Sequence, residues 1–551
     1  MKTANNWWKE GVVYQIYPRS FKDSTGNGLG DINGIIEKLD YIKSLGVNMI
    51  WICPVYVSPN DDNGYDIADY RKISEDFGGD KAFDRLLREM HARGLKFIMD
   101  LVVNHSSDEH QWFEQAKQSK DNPYHDYYIW KEGTPATPPN NWQSVFNGSV
   151  WEWNDPTQEY FLHYYTKKQP DLNWENPTVR KEVYAIIDFW LAKGVDGFRM
   201  DVISLISKRL SFQDVPTSMS FIDVMEKVYA NGPRVHEYLQ EMNREVLSKY
   251  DVVTVGEGPG VNLEHGPRYV SAKEKELNMV FHFDHLTIDF GPEGKYDPIP
   301  VDFIRFKEIF RQWDEALAED GWNSIFLGNH DFSRIVSRFG NDTQDHTKSA
   351  KLLVTLLMSL RGTPYVYQGD EIGMTNVAHP SIDLYDDVET RNAWKAAEAA
   401  GKDMEKFLKT VHWQSRDNAR TPIQWDATAQ AGFSTGKPWI PVNENYPQIN
   451  VAAAEKDPDS ILHYYRKMIA YRKANLCLVY GHFEDLLPQH PYLYVYKRWD
   501  SQGTFLAVHN FSDEKTSWEQ KDADYTLEIG NYTSASSQYL APWESRIYRL
   551  A

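Results

Sequence analysis

Cysteine is almost absent from this 551-residue chain: Cys53 and Cys477 are the only two, and they lie far apart. That excludes a disulfide framework and a cysteine-based zinc site. No run of about 18 apolar residues occurs, so no membrane-spanning helix is expected. Basic residues are in the minority, 59 Lys and Arg against 79 Asp and Glu. The resulting net charge of −20 argues against a nucleic-acid or anionic-membrane partner. The opening Met1-Lys2-Thr3-Ala4-Asn5-Asn6-Trp7-Trp8 has no apolar stretch of signal-peptide length, so the expected location is the cytoplasm. Internal repeats and low-complexity linkers are also missing.

Aromatics, by contrast, are plentiful, with 19 Trp and 33 Tyr. Most of them must build core, but flat rings also suit stacking on the apolar faces of sugars. Apolar residues make up 41% and charged residues 25%, the balance of an ordinary globular protein. Short β-type runs at residues 12–18, 48–54, 96–105, 197–201, 252–257, 279–283, 323–329 and 363–368 alternate with helical segments. This order predicts an α/β fold, a (β/α)8 TIM barrel whose chemistry sits at the C-terminal ends of the strands. Two stretches break the rhythm. Residues 105–176 are crowded with aromatic, Pro and Asn residues, which predicts a small domain inserted after the third strand. Beyond residue 480, β-type runs separated by turn residues predict a C-terminal antiparallel β-sandwich. The expected domains are 1–104 with 177–480 (barrel), 105–176 (insert) and 481–551 (sandwich).

The chain is organised around Gly197-Phe198-Arg199-Met200-Asp201. Alternation along a strand puts Arg199 and Asp201 on one side, where the guanidinium is expected to keep the carboxylate ionised and aimed. Taken alone, such a pair is more often structural. On a barrel, however, Asp100, His105, Arg199, Asp201, Glu257, His330 and Asp331 all fall at the ends of strands three, four, five and seven. Two carboxyls about 5 Å apart serve retaining glycoside hydrolysis, one as nucleophile and the other as acid and then base. The apolar approach Val252-Val253-Thr254-Val255-Gly256 predicts a raised pKa at Glu257, and Asp201 is expected to stay ionised.

These motifs resemble those of the α-amylase superfamily (glycoside hydrolase family 13), over essentially the whole length. They are Asp100-Leu-Val-Val-Asn-His105, Gly197 to Asp201, Thr254-Val-Gly-Glu257 and Asn329-His-Asp331. The resemblance implies Asp201 as nucleophile, Glu257 as acid/base and Asp331 as transition-state stabiliser. It also implies sugar contacts at His105, Arg199 and His330. Three further stretches are similar to the oligo-1,6-glucosidase/α-glucosidase branch: Gln169-Pro-Asp-Leu-Asn173, Asp62-Asn-Gly-Tyr-Asp66 and Ser415-Arg-Asp-Asn-Ala-Arg-Thr-Pro422. There Asp62 and Arg416 would close the blind end of a glucose pocket, with Tyr65 stacked under the sugar and Gln169 in the same site. Val202, directly after the nucleophile, goes in that branch with α-1,6 substrates. The partner implied is a small oligosaccharide, bound by a monomer or weak dimer without an organic cofactor.

In the loop Asp23-Ser-Thr-Gly-Asn-Gly-Leu-Gly-Asp31, oxygen-bearing side chains alternate at Asp23, Thr25, Asn27 and Asp31. Hard cations favour such ligands. Relatives in the branch hold a structural Ca2+ or Mg2+ in this loop, which adds Leu29 to the expected set. Two other activities resemble the leading one. A trehalose-6-phosphate hydrolase is suggested by residues 137–142 and 232–237, and would need a basic cluster at the rim, for which Arg234 and Lys208 are the candidates. A sucrose isomerase (trehalulose-synthase-like) would carry Arg-Leu-Asp-Arg-Asp where this chain has Leu286-Thr-Ile-Asp-Phe290. The stretch Tyr385-Asp386-Asp387-Val388-Glu389 does resemble those isomerases and the dextran glucosidases. A non-catalytic transporter heavy chain would have lost carboxylates that are all kept here.

Overall fold

The computed structural model describes residues 7–518 and 525–550. Residues 1–6, most of the segment read above for a signal peptide, lie outside it, as do 519–524 and 551 of the C-terminal range. Eight parallel strands form one curved sheet: β1 (Val13–Ile16), β2 (Met49–Ile52), β3 (Lys96–Leu101), β4 (Gly197–Met200), β5 (Val253–Gly258), β6 (Met279–His282), β7 (Ser324–Ile325) and β8 (Thr363–Tyr367). Their order is β6-β5-β4-β3-β2-β1-β8-β7, which returns β7 to the side of β6. The Ser324 hydroxyl donates to the Val280 carbonyl across that seam at 2.8 Å and closes the barrel. Both faces are covered, so the strands are apolar almost throughout.

Strand seven is far shorter than the 323–329 expected from sequence. Its ladder with β8 stops at Ile325 opposite Pro364, and proline has no N–H to continue it. Residues 326–329 therefore leave the sheet early and carry His330 and Asp331 over the barrel mouth. β4 is delivered by a helix with clear stops at both ends. Asn176 caps Pro177–Lys193 by accepting from Thr178 N, and Gly194 ends it at φ 109°. Gly197 then begins the strand where a Cβ would lie 2.5 Å from the Val253 carbonyl oxygen. A larger residue there would push β4 away from β5 and separate the two acids.

Between β3 and that helix lies a three-stranded antiparallel sheet, with Glu159–Leu162 between Trp130–Glu132 and Trp151–Asn154. At the C-terminus, His482–Asp485, Leu493–Asp500, Gly503–Asn510, Ser545–Leu550 and Tyr525–Gly530 form a five-stranded antiparallel sheet. A two-stranded sheet, Thr516–Ser517 with Tyr539–Leu540, forms beside it. Buried Arg498 ties this unit to the barrel by donating to the carbonyls of Ser359 (2.6 Å) and Leu478 (2.9 Å). Among the described residues no helix is long and apolar enough to cross a membrane.

Candidate active site

The parallel register brings the acids together. Asp100 on β3 sits opposite Arg199 on β4, and Gly256 on β5 opposite Met200, so Asp201 and Glu257 leave their strands at the same level. Arg199 is 1% exposed and serves three carboxyls. Its Nη1 lies 3.0 Å from Asp100 Oδ1 and 2.6 Å from Asp201 Oδ1, and its Nη2 lies 2.7 Å from Glu257 Oε1. Sharing one guanidinium draws Asp201 and Glu257 together. A retaining pair requires that closeness, about 5–5.5 Å against roughly 6.5–9.5 Å for inversion.

One cation among three buried acids leaves negative charge uncompensated. Burial raises Asp100 to about 6, Asp201 to about 7 and Glu257 to about 8, against the opposing pull of Arg199 on each. This corrects one expectation and bears out another. Asp201 does not stay in the ordinary carboxylate range, because burial outweighs the pull of an Arg199 that also serves two other carboxyls. Glu257 is raised by burial as expected, although it faces that guanidinium and accepts from Val202 N at 3.1 Å. Both values lie above the ordinary carboxylate range, so near neutral pH the pair favours holding one proton between its two carboxyls, the state that an acid beside a nucleophile would need. Val202 presents its N–H from a left-handed backbone (φ 36°), a costly conformation for a β-branched residue. Its side chain is 5% exposed and belongs to a buried apolar cluster that includes Leu205 and Trp142.

Asp331 is the contrast. Burial alone would raise it, but His330, Arg416 and Arg420 outweigh burial and hold it well below the usual carboxylate range. His330 Nε2 lies 3.1 Å from Asp331 Oδ2, and Gln15 Nε2 sits 2.8 Å from His330 Nδ1. Arg416 reaches Asp331 (3.3 Å) and Asp62 (3.1 Å) with different nitrogens, and so closes one end of the pocket. Tyr65 stacks on His330 (centroids 5.3 Å apart, 9° between planes) and donates to Asp100 Oδ2 at 3.1 Å. Gln169 Nε2 lies 3.3 Å from Asp62 Oδ2, and His105 Nε2 is 3.1 Å from the Tyr65 carbonyl oxygen. Thus Asp62, Tyr65, His105, Gln169, Arg199, Val202, Asp201, Glu257, His330, Asp331 and Arg416 all meet in one place.

Sequence reasoning left four residues of this site without a role. Arg420, 2.9 Å from Asp331, is one helical turn after Arg416, a spacing that could have marked it. Asp387 is fully buried and takes the other side of Arg416 at 2.6 Å. At the mouth, Lys295 Nζ pairs with Glu389 at 2.6 Å and lies 3.4 Å from the Asp331 carbonyl oxygen. Lys295 comes from the hairpin strand Gly294–Pro298, which nothing in the motifs announced. The two proposed phosphate-binding cations do not form a rim cluster. Lys208 is buried against Asp171, and Arg234 is engaged by Glu175 and Glu237.

The loop from Asp23 to Asp31 is folded by its own carboxylates. Asp23 Oδ1 accepts from Thr25 N and Gly26 N, and its Oδ2 from Gly28 N, each at 2.8 Å. Asp31 accepts from Ser24 N and, as a helix cap, from Gly34 N. Asn27 Oδ1 accepts from Leu29 N at 2.9 Å. Gly28, at φ +92°, passes where a Cβ would collide with the Lys437 carbonyl. Asp23 and Asp31 are 3% and 2% exposed, and the hydrogen bonds to their carboxylates come from backbone amides and from the hydroxyls of Ser24, Thr25 and Ser434. Two buried carboxylates, offset only by amide and hydroxyl donors in an all-oxygen loop, suit a hard cation. No group of three or more acidic, His or Cys side chains is placed for a metal among the described residues.

A closed (β/α)8 barrel with paired acids on a shared arginine, a third acid held ionised and one end of the pocket sealed is a glycoside hydrolase. The chain belongs to the α-amylase family, whose catalytic-domain model matches residues 15–481. Among its relatives is an oligo-1,6-glucosidase of Parageobacillus thermoglucosidasius, 52% identical over 99% of both chains. A trehalose-6-phosphate hydrolase of Bacillus licheniformis superposes with a TM-score of 0.95 at 46% identity, covering 99% of this chain and 100% of that one. An isomaltulose synthase of Klebsiella sp. LX3 does so with a TM-score of 0.96 at 43% identity, covering both chains fully (100%).

Proposed function

We propose that this chain is an exo-acting α-glucosidase of the oligo-1,6-glucosidase type. It releases glucose, with retention, from the non-reducing end of short α-glucosides and prefers α-1,6 linkages. One observation carries the reading: Arg416 bridges Asp62 and Asp331, so the pocket behind Asp201 and Glu257 is closed and admits a single terminal sugar. In the first step Asp201 attacks the anomeric carbon while Glu257 gives its proton to the departing glycosidic oxygen. Arg199 steadies both carboxyls, and ionised Asp331 with its arginines receives the sugar hydroxyls. Glu257, now ionised, takes a proton from water, which attacks the same carbon and frees glucose and Asp201.

Against trehalose-6-phosphate stands the engagement of both candidate cations, Lys208 and Arg234, by carboxylates. A dianion would have to break those pairs. Against isomerisation stands the stretch Leu286-Thr-Ile-Asp-Phe290, which differs from the Arg-Leu-Asp-Arg-Asp loop of the sucrose isomerases. The linkage preference rests on Val202, and a pocket that discriminates by about one methyl supplies only ~1–3 kcal/mol. Isomaltose is therefore expected to exceed maltose in kcat/KM by roughly tenfold, with Val202→Thr raising relative activity on maltose. Initial rates on isomaltose, maltose, trehalose, trehalose-6-phosphate and sucrose check this. Maltose above isomaltose would remove the linkage assignment, and trehalose-6-phosphate above both would remove the substrate class.

The second part of the proposal is a structural Ca2+ or Mg2+ held by Asp23 and Asp31 with Thr25, Asn27 and Leu29. Its support is the pair of buried carboxylates satisfied, among the described residues, by amide and hydroxyl donors. It supplies no step of the reaction. Chelator is then expected to lower the melting temperature while leaving kcat and KM nearly unchanged at low temperature. Metal analysis of the purified protein together with melting curves checks it; identical curves would count against a bound ion. The working form is proposed as a cytoplasmic monomer or weak dimer.

A further inference from the structure

We infer that Lys208 is a positioning residue for His105: by fixing the side-chain amide of Asn104 it keeps the imidazole proton on Nε2, where it holds the Tyr65 backbone at the edge of the sugar pocket. The inference rests on the proposed role of His105 as a sugar contact, but its geometry stands without substrate. Lys208 is 3% exposed, on the stretch that follows β4 and the nucleophile. Its ammonium has three hydrogens and no acceptor. It meets three acceptors: Asn104 Oδ1 at 2.6 Å, the Leu205 carbonyl at 2.6 Å and Asp171 Oδ2 at 2.7 Å. Its Nζ also lies 4.3 Å from the centre of the Tyr164 ring.

The oxygen and nitrogen of an Asn side chain are nearly interchangeable in shape, so their placement follows from their partners. An ammonium cannot face an NH2 group. Lys208 therefore fixes oxygen on its own side, and the Asn104 NH2 turns to His105 Nδ1 at 3.1 Å and to Asp171 Oδ2 at 3.4 Å, so the ammonium and the carboxylate it pairs with set the amide together. A ring nitrogen that accepts carries no proton. Burial lowers the pKa of His105 to about 4, so the ring is neutral near pH 7 and its one proton lies on Nε2. That nitrogen is 3.1 Å from the Tyr65 carbonyl and 3.3 Å from Gln169 Nε2, within the residues that line the pocket. If the Asn104 amide turned over, its oxygen would draw the proton to Nδ1. Nε2 would then set a lone pair against the Tyr65 carbonyl, and the hydrogen bond that holds this edge of the pocket would be lost. The same ammonium joins the end of β3, the stretch after β4 and Asp171 of the inserted segment, so the insert and the tautomer are held by one group.

The test is Lys208→Met in wild-type and His105→Gln backgrounds, read by the inhibition constant of glucose, isomaltose kinetics and ¹⁵N-histidine spectra. Loss of one neutral hydrogen bond corresponds to about a tenfold rise in the glucose inhibition constant. Isomaltose KM is expected to rise by a similar factor, with kcat falling less. The His105 ¹⁵N signals, assigned by their loss in His105→Gln, are expected to move from the Nε2-protonated pattern toward the Nδ1-protonated one. Asn104→Asp, which cannot donate to Nδ1, is expected to reproduce both changes. In His105→Gln, whose amide donates without a tautomer, Lys208→Met should add less than about a twofold change. The double variant Lys208→Met/Asp171→Asn leaves no unpaired carboxylate, and is expected to recover melting temperature but not glucose affinity.

An unchanged glucose constant, an unchanged ¹⁵N pattern, or an equal rise in both backgrounds would overturn the inference. So would recovery of both stability and affinity in the double variant. Failure of the wild type to cleave isomaltose would instead strike the substrate assignment, and the ¹⁵N spectra would still decide the relay.

Discussion

Replacing Asp201 by Asn, or Glu257 by Gln, is expected to lower kcat by about three orders of magnitude or more. In the proposed mechanism both side chains act on the reacting atoms, and neither step proceeds without the other's proton or electron pair. Their spacing is set by Arg199, with contacts of 2.6 and 2.7 Å. The amide variants preserve shape and most hydrogen bonds, so folding should survive and the loss should appear in kcat. Glu257→Gln retains a good attacking group and should still form the glycosyl-enzyme from an activated glucoside whose leaving group needs no acid. Asp201→Asn should not. Steady-state rates and a single-turnover burst check this. A variant of either kind that retained about a tenth of wild-type kcat would end the assignment.

The second large effect is expected at Arg199. Removing one partner of a buried ion pair costs about 3–5 kcal/mol, because the charge left behind has no water to turn to. Three carboxyls depend on this guanidinium. Arg199→Met should therefore lower kcat/KM by roughly two to three orders of magnitude and reduce the melting temperature. The pH profile supplies the more specific sign. In the proposed mechanism the pair works with one carboxyl ionised and the other protonated, so both limbs of the wild-type profile should lie above the ordinary carboxylate range, near 7 and 8. Arg199 pulls both values down. Without it both rise, and the whole bell should move to higher pH. Arg199→Lys, a point charge without the planar fork, should move it less. A profile that stayed in place in Arg199→Met would mean that another group sets these ionisations.

The barrel could be read from sequence because each strand is an apolar run bounded by turns, and the acids because each stands at such a run's end. What could not be read was how the charges are shared. Arg199 lies two residues before Asp201, so their pairing was visible. Its contacts to Asp100 and Glu257 come from neighbouring strands, and only the register supplies them. Strand seven was overestimated because Phe326 and Leu327 continue the apolar pattern, while the proline that ends the ladder is on β8. Lys295 stayed hidden because it reaches the mouth from a hairpin that carries no motif, and Glu389, although it stood in the noted stretch 385–389, gained a partner only once that hairpin was placed. Lys208 was only a candidate for a phosphate-binding rim under the alternative activity, and Asp171, the partner that buries it, lies 37 residues earlier.

One measurement tests the central assignment most directly: the anomeric form of the glucose first released from isomaltose, followed by proton NMR before mutarotation. Asp201 and Glu257 acting as nucleophile and acid/base from one shared arginine require that α-glucose appear first, with the β form growing in only at the mutarotation rate. β-Glucose appearing first would mean direct attack by water, and would contradict a glycosyl-enzyme on Asp201.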